Sequence, residues 1–491
     1  MIFERYRPYI PEWDRFCAVA DTPEPTTIRV QTQRIDPDDL IRRLEQQGFR
    51  LEPLAFPPAF YRVVASPFPI SKTVEHWLGL FYIQQASTGL VAPMLAPSPG
   101  SCVLDLCAAP GGKTTHLYDV MRGQGTILAC DVSHRRLRAL LSNVFRMGLW
   151  NVIVFRLDAR NLPADVWFDA VLVDVPCTAE GNLRSSTRAR TPVSPRFLRY
   201  ITRTQEVILR RAIDVTRPGG MLAYVTCTFA PEENEGVLTQ VLHDMPVRVE
   251  PITLPVDHDT GWLRFEDRTF DPQCAHAWRI YPYHLDSGGL FMARLRKVAP
   301  SGSTRRLRYL CQQGMLPLGY PEHEIPSEEA AGQIMAVRRY LIETFGIPER
   351  VLDRFRWMYW GKTVWAHQCT SWPVGFWRPA RNRQLVGVGV RVARRTRFGW
   401  KPSSYFLQHL SPWVRERRVS LAPNDWIRLL QGQTIPVTRM ADGYVALALE
   451  DAVLGCGHVR QGRVRHMIPA ERTRLLQDVM QLRIQHAISG A

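Results

Sequence analysis

Two cysteines and four aspartates stand where side chains could do chemistry. Cys177 lies in Asp174-Val-Pro-Cys-Thr178, and Cys227 lies in Thr226-Cys-Thr228-Phe-Ala-Pro-Glu232-Glu-Asn-Glu235. Each follows a short apolar run that reads as a strand. A buried cysteine is ordinarily a small hydrophobe, and that suffices for Cys102, Cys130 and Cys311. The proline, threonine, aspartate and glutamate around Cys177 and Cys227 argue against core filling. Two strand ends opening into one crevice would bring both thiols to a common ligand. Asp105, Asp131, Asp158 and Asp174 also close apolar runs. In a doubly wound sheet, ligands bind beyond the carboxyl ends of the strands. The series therefore outlines a crevice for a ribose, an amine and a base. Asp131, after the second strand, holds the place where a carboxylate takes ribose hydroxyls.

The stretch from Val103 to Leu117 organises the rest. An apolar strand runs into Cys107-Ala108-Ala109-Pro110-Gly111-Gly112-Lys113, and helical periodicity resumes at Leu117, Val120 and Met121. The glycines let a ligand approach the backbone, and the free N–H groups of the helix start suit an anionic group. The turn is not a P-loop, because Cys107 occupies the position of the first glycine. A Gly-x-Gly-x-x-Gly dinucleotide fingerprint is also absent.

These residues need a scaffold of alternating strands and helices. Strands are expected at Thr126 to Ala129, Val152 to Arg156, Phe168 to Val173 and Met221 to Val225. Helices are expected at Ser133 to Met147, Arg203 to Val215 and Glu232 to His243, the second closed by Arg217-Pro-Gly-Gly220. Such alternation implies an α/β, doubly wound, largely parallel sheet. Upstream, Met1 to about Pro25 reads as a short helical or irregular lead and Thr27 to Gln33 as a strand. A helix opens at Asp36-Pro37 and ends at Gly48. Phe49 to Pro57 and Tyr61 to Val64 read as strands, Lys72 to Ala86 as a helix, and Pro93 to Pro99 as a proline-rich lead. A linker is expected at Arg294 to Ser303. Further on, Ser327 to Phe345 reads as a helix and Gly387 to Ala393 as a strand. Tyr444 to Leu449, Val453 to Val459 and Arg463 to Ile468 read as strands of a small barrel, with a hairpin turn at Gln461-Gly462.

A chain of 491 residues has room for about three domains. Its 62 lysines and arginines against 46 acidic residues give a net charge of +16, which points to a polyanionic partner. Aromatics interleave with arginines beyond Arg356, a pattern that suits base stacking and phosphate contact. The cysteines form no Cys-x-x-Cys pair, which argues against a zinc site, and no metal is expected. Reduced cysteines and the lack of a signal-like leader or a long apolar run imply a cytoplasmic protein without a membrane partner.

The sequence resembles the Nop2/Sun family of RNA cytosine-5 methyltransferases. The matching stretches are Asp105-Leu-Cys-Ala-Ala-Pro-Gly-Gly-Lys-Thr114, Asp131-Val-Ser133, Asp158-Ala-Arg160, Asp174-Val-Pro-Cys-Thr178 and Thr226-Cys-Thr228 with Glu232-Glu-Asn-Glu235. The match runs from about Thr27 to Lys297, and the tail resembles the PUA-type domain of bacterial 16S rRNA members. The resemblance implies an N-terminal α/β RNA-binding module (1–71) and a Rossmann-like catalytic domain (72–298). It further implies an intermediate region (299–380) and a PUA-like RNA-binding domain (381–491). S-adenosylmethionine would lie on the Cys107 to Lys113 turn, with Asp131 on its ribose and Asp158 on its adenine. Asp174 would sit between cofactor and target base, Cys227 would be the nucleophile and Cys177 would assist product release. Lys113 joins the catalytic candidates. The partner would be RNA, with 16S rRNA preferred, on its own or within a ribosomal subunit, and the protein is expected to act as a monomer. A tRNA substrate and a non-catalytic RNA-binding assembly factor are the alternatives.

The chain departs from the family at Gln84-Gln85-Ala86-Ser87, at Ala179-Glu180-Gly181 and at Arg184-Ser-Ser-Thr-Arg-Ala-Arg190. The last two fall after Cys177, so they bear on target choice more than on the reaction.

Overall fold

The computed structural model describes residues 3–162, 167–301, 328–370 and 384–489. Cys311 and Ser327 lie outside them. Near the N-terminus, β1 (Thr27–Val30), β2 (Arg50–Pro53), β3 (Phe60–Ala65) and β4 (Phe81–Ile83) form an antiparallel sheet in the order β2-β3-β1-β4. The Pro37–Glu45 helix covers it, with the Asp36 side chain accepting from the N–H of Asp38 as cap. The helix expected over Lys72 to Ala86 is not continuous. Thr73 caps one short turn, Val74–Trp77, and the backbone then reverses at Gly79 with φ +72°. A Cβ at Gly79 would collide with the carbonyl oxygen of Arg146, so only glycine fits. Phe81 then pairs with Val30, and the N-terminal sheet extends past the boundary expected at residue 71.

The central sheet begins with five parallel strands: β5 (Cys102–Leu106), β6 (Thr126–Asp131), β7 (Val152–Arg156), β8 (Phe168–Asp174) and β9 (Thr216–Thr226). They run in the order β9-β8-β5-β6-β7, so the order reverses at β5. Alternate residues of these strands enter two cores. Val103, Ile127, Val154 and Val225 face one side, and Leu104, Leu128, Ile153 and Tyr224 face the other. Both faces are therefore covered by helices, as a parallel sheet requires. The Gly112–Val120 and His134–Met147 helices take one face, and the Pro195–Val215 helix takes the other. This last helix starts eight residues before the expected Arg203, because Ser194 caps it and Pro195 suits its first turn.

Then follow β10 (Val247–Glu250), β11 (Asp259–Thr260), the hairpin β12 (Arg264–Phe265) and β13 (Arg268–Thr269), β14 (Trp278–Ile280) and β15 (Leu290–Lys297). β15 adds antiparallel to β9, so Arg294 to Lys297 is sheet and not linker. The charge of Lys297 is compatible with burial because its Nζ donates to the carbonyls of Ile213 and Asp214, at the C-terminal end of a helix.

Beyond residue 328, the Glu328–Phe345 helix precedes β16 (Arg356–Trp360), β17 (Thr363–His367), β18 (Leu385–Val388), β19 (Val390–Thr396) and β20 (Gly399–Pro402). The single strand expected over Gly387 to Ala393 is broken at Gly389, with φ +52°. Before the break, β18 pairs with β7 and extends the central sheet. After it, β19 joins a separate sheet, β16-β17-β19-β20, which crosses the boundary expected between residues 380 and 381. A five-stranded sheet follows, β21 (Arg418–Ser420), β22 (Ile435–Pro436), β23 (Gly443–Leu449), β24 (Ala452–Arg460) and β25 (Arg463–His466), with Gln461 and Gly462 both at positive φ in the expected hairpin turn, and the Ala470–Ser489 helix comes last. Among the described residues, no helix is long and apolar enough to cross a membrane.

Candidate active site

The reversal of strand order at β5 opens a crevice between the ends of β5 and β8, and the predicted residues gather there. The chain leaves β5 with Cys107 at φ +60°, passes Gly111 at φ +108° and enters the Gly112–Val120 helix. A Cβ at Gly111 would stand 2.8 Å from Leu140 Cδ1, and a φ of +108° favours glycine here. Ala108 and Ala109 are buried beneath the turn. The guanidinium of Arg136 donates to the carbonyl of Ala109 and closes the turn against the next helix.

Asp105 is fully buried under this turn. Its Oδ2 accepts from the Thr114 hydroxyl at 2.6 Å, while its Oδ1 has no hydrogen-bond partner among the described residues. Burial pushes its carboxyl pKa up to about 7. Asp131, at the end of β6, accepts from the N–H of Ser133 at 2.9 Å, and its Oδ2 stands 3.2 Å from the Arg136 guanidinium. Asp158, just past β7, is held by the backbone and guanidinium of Arg160, which lower its pKa. A buried carboxylate oxygen free to accept, a second carboxylate one strand over and a turn closed to side chains fit a ligand that carries an amine and ribose hydroxyls, as S-adenosylmethionine does.

Lys113 reaches from the turn to the end of β8, where its Nζ stands 2.8 Å from Asp174 Oδ2. Burial works against the ammonium, but Asp174 outweighs it and holds the pKa of Lys113 up. The two thiols lie next to this pair, with Cys177 Sγ and Cys227 Sγ 3.3 Å apart. Their pKa values move in opposite directions. The hydrogen bond from Cys177 lowers that of Cys227, with help from the Lys113 charge and against burial. The same bond, together with burial, raises that of Cys177. The arrangement favours ionisation at Cys227 over ionisation at Cys177. The amide of Asn182 adds a donor 3.7 Å from Cys227 Sγ.

Several residues that hold the thiols were not singled out from the sequence. Glu233, fully buried, accepts from the Thr178 N–H at 3.1 Å, the Thr178 hydroxyl at 2.5 Å and Gln205 Nε2 at 2.7 Å. Gln205 also donates to the carbonyl of Pro176 at 2.9 Å, so both neighbours of Cys177 are tied to one helix. Burial raises the pKa of Glu233 to about 7. Glu180 accepts from the Phe229 N–H at 3.1 Å and from the Tyr6 hydroxyl at 2.9 Å. The N-terminal lead thus closes over the two cysteine loops, as Phe3 and Phe16 pack edge-on against Phe229. Glu233 sits in a run already marked as a motif, but nothing local in the sequence points to Gln205 or Tyr6.

The sheet order, with a strand-end turn and acidic residues at the reversal, defines a Rossmann-like methyltransferase. Residues 92–296 match the family model of the 16S rRNA methyltransferase RsmB/F, and residues 2–63 match the ferredoxin-like domain of RsmF/B-like methyltransferases. The ribosomal RNA small subunit methyltransferase F of Erwinia tasmaniensis is 36% identical, over 60% of this chain and 61% of that protein. The 28S rRNA (cytosine(4447)-C(5))-methyltransferase of Homo sapiens is 33% identical, over 60% of this chain and 37% of its own length. The chain thus spans less than two thirds of each of these relatives. The methyltransferase F of Vibrio atlanticus, 29% identical, aligns over 94% of this chain and 93% of its own. A solved methyltransferase homologue from Pyrococcus horikoshii superposes with a TM-score of 0.54 at 32% identity, over 60% of this chain and 93% of that one. The chain belongs to the Nop2/Sun methyltransferase family, whose methyl donor is S-adenosylmethionine.

Proposed function

We propose that the protein methylates C5 of a cytosine in RNA, with 16S rRNA as the substrate. The observation that carries this reading is the thiol pair, 3.3 Å apart and beside the Lys113–Asp174 ion pair. C5 of cytosine is a weak nucleophile. Attack of the Cys227 thiolate on C6 places an electron pair at C5, splitting one hard step into two. When bound on the Cys107 to Lys113 turn, S-adenosylmethionine supplies an electrophilic methyl group, with Asp131 taking its ribose hydroxyls and Asp158 serving its adenine.

Lys113 keeps a positive charge beside the thiolate, and Asp174 holds the N3 edge of the target ring. Cys177 serves release. The C5 proton passes to Cys177, or to a water that Cys177 activates, the C5–C6 double bond re-forms and the Cys227 sulfur departs as thiolate. Glu233 and Gln205 hold the Cys177 loop in place for that step. The target base must be extruded from its stack to expose C6. The N-terminal sheet and the C-terminal PUA-like part hold the flanking RNA, consistent with the net charge of +16. The relatives' names and the positive charge support rRNA as the target, on its own or in a subunit, and a cytoplasmic location goes with that reading.

The test is transfer of a labelled methyl group from S-adenosylmethionine to 16S rRNA transcript, with the product mapped by bisulfite sequencing. A single protected cytosine is expected. No incorporation into 16S rRNA, free or in subunits, overturns the substrate assignment, and no incorporation into any cellular RNA overturns the reaction.

A further inference from the structure

The sheet formed by β16, β17, β19 and β20 ends in two hairpin tips. The β16–β17 turn is Gly361-Lys362, with φ +57° and +66°, and the β19–β20 tip is Arg397-Phe398-Gly399. The N–H of Arg395 donates to the carbonyl of Lys362 at 2.8 Å, so the two tips move as one unit. Phe398 is 79% exposed, the most exposed of the large hydrophobic side chains among the described residues, and Trp360 is also exposed. An aromatic ring held in water on a rigid turn has no role in a core.

The strand register adds a second observation. Trp360 pairs with Thr363, Thr363 with Arg394 and Arg394 with Lys401, so these four side chains form one row across one face. Arg394 and Lys401 thus stand directly opposite each other, and like charges in that relation destabilise a sheet. Among the described residues, neither these two cations nor Lys362, Arg395 and Arg397 has a carboxylate within ion-pair distance, whereas Arg136, Arg160, Arg184, Arg190 and Arg217 of the catalytic domain do. A polyanion on this face would relieve the repulsion. The guanidinium of Arg397 stacks over the Phe398 ring at 4.6 Å, a ready-made edge for a base lying on that ring.

We propose that this end of the sheet is a docking element for single-stranded RNA. Phe398 stacks an unpaired base, and Arg394, Arg397, Lys362 and Lys401 hold the flanking phosphates. The element carries no hydrogen-bonding code for base edges, so it takes an unstacked strand of any sequence. It anchors the RNA substrate away from the catalytic crevice. The inference rests on RNA being the substrate, but its test does not require methyl transfer.

The experiment uses the full-length protein without methyl donor. Binding of a fluorescein-labelled single-stranded RNA of about 20 nucleotides is followed by anisotropy over a range of salt concentrations. Phe398→Ala is expected to weaken binding roughly tenfold, and Phe398→Trp to restore it. Arg394→Gln with Arg397→Gln is expected to lower the slope of log affinity against log salt by about 1.4. A duplex of the same length should be insensitive to Phe398→Ala. Unchanged binding by Phe398→Ala, or equal weakening by the Trp variant, overturns the docking element. If wild-type protein binds RNA as described but transfers no methyl group to any RNA, the reaction proposed above fails while this surface stands. Wild-type methylation that persists with unchanged affinity in the tip variants has the opposite meaning.

Discussion

Cys177 and Cys227 are fifty positions apart in the chain, yet their sulfur atoms stand 3.3 Å from each other. The contact is made because each follows one of two adjacent parallel strands, β8 and β9, and both strands end at the same edge of the sheet. At this distance ionisation of one thiol disfavours ionisation of the other, so the two sulfurs are unequal before any substrate arrives.

Cys227→Ala is expected to abolish methyl transfer. Cys177→Ala should retain attack and lose release, so a protein–RNA adduct should survive a denaturing gel. Turnover by the first variant, or no adduct with the second, contradicts the division of roles.

Lys113→Met should raise the pKa of Cys227, because the ammonium is one of the two influences that lower it. Thiol alkylation followed against pH would show the limb for Cys227 displaced upward, and methyl transfer at neutral pH would fall by about tenfold or more. An alkylation profile unchanged from wild type would remove Lys113 from the activation of the nucleophile.

Stability should decline as pH rises through the slightly acid range. Asp105 and Glu233 have folded-state pKa values of about 7, above their ordinary 3.8 and 4.5. The folded state therefore binds more protons. Their contribution is fully present below the ordinary values and is lost as the pH approaches 7. Thermal midpoints measured between those limits should flatten in Glu233→Gln. A slope equal to that of wild type would show that Glu233 is ionised in the fold.

Arg279 and Glu235 form a fully buried ion pair at 2.5 Å, with the guanidinium 3.6 Å from the Trp262 ring centroid. Arg279→Leu leaves an uncompensated carboxylate and should cost about 3–5 kcal/mol, read from denaturant unfolding. A loss below about 1 kcal/mol would mean that water reaches the pair.

Gly181→Ala should impair catalysis more than stability. A Cβ at that position runs into the backbone carbonyl of Gly289, and the N–H of Gly181 donates to the carbonyl of Cys227 at 2.9 Å. The loop must shift, taking with it the spacing of the two sulfurs. A kcat equal to that of wild type would show that the loop tolerates the displacement.

Much of the site is a local matter, and local matters are legible in the residues. The strands that end at Asp105, Asp131, Asp158 and Asp174, the turn from Cys107 to Lys113 and the helix starts at Asp36 and Ser133 depend on neighbours a few positions away. Periodicity and turn chemistry therefore reveal them, and strand–helix alternation then implies a parallel sheet. What escaped were pairings between distant segments. Apolar residues from Lys72 to Ala86 serve a helix or a strand equally well until Gly79 meets Arg146 and Phe81 meets β1. Arg294 to Lys297 has the composition of a linker, and becomes sheet because Lys297 finds carbonyls at the end of a helix more than eighty positions back. The grip of Glu233 and Gln205 on the Cys177 loop, the reach of Tyr6 to Glu180 and the addition of β18 to the central sheet belong to the same class. The sequence by itself determined which groups are available and at which strand ends they stand. Only the tertiary structure decided which of them touch, because burial and hydrogen bonding there depend on surfaces that other parts of the chain bring.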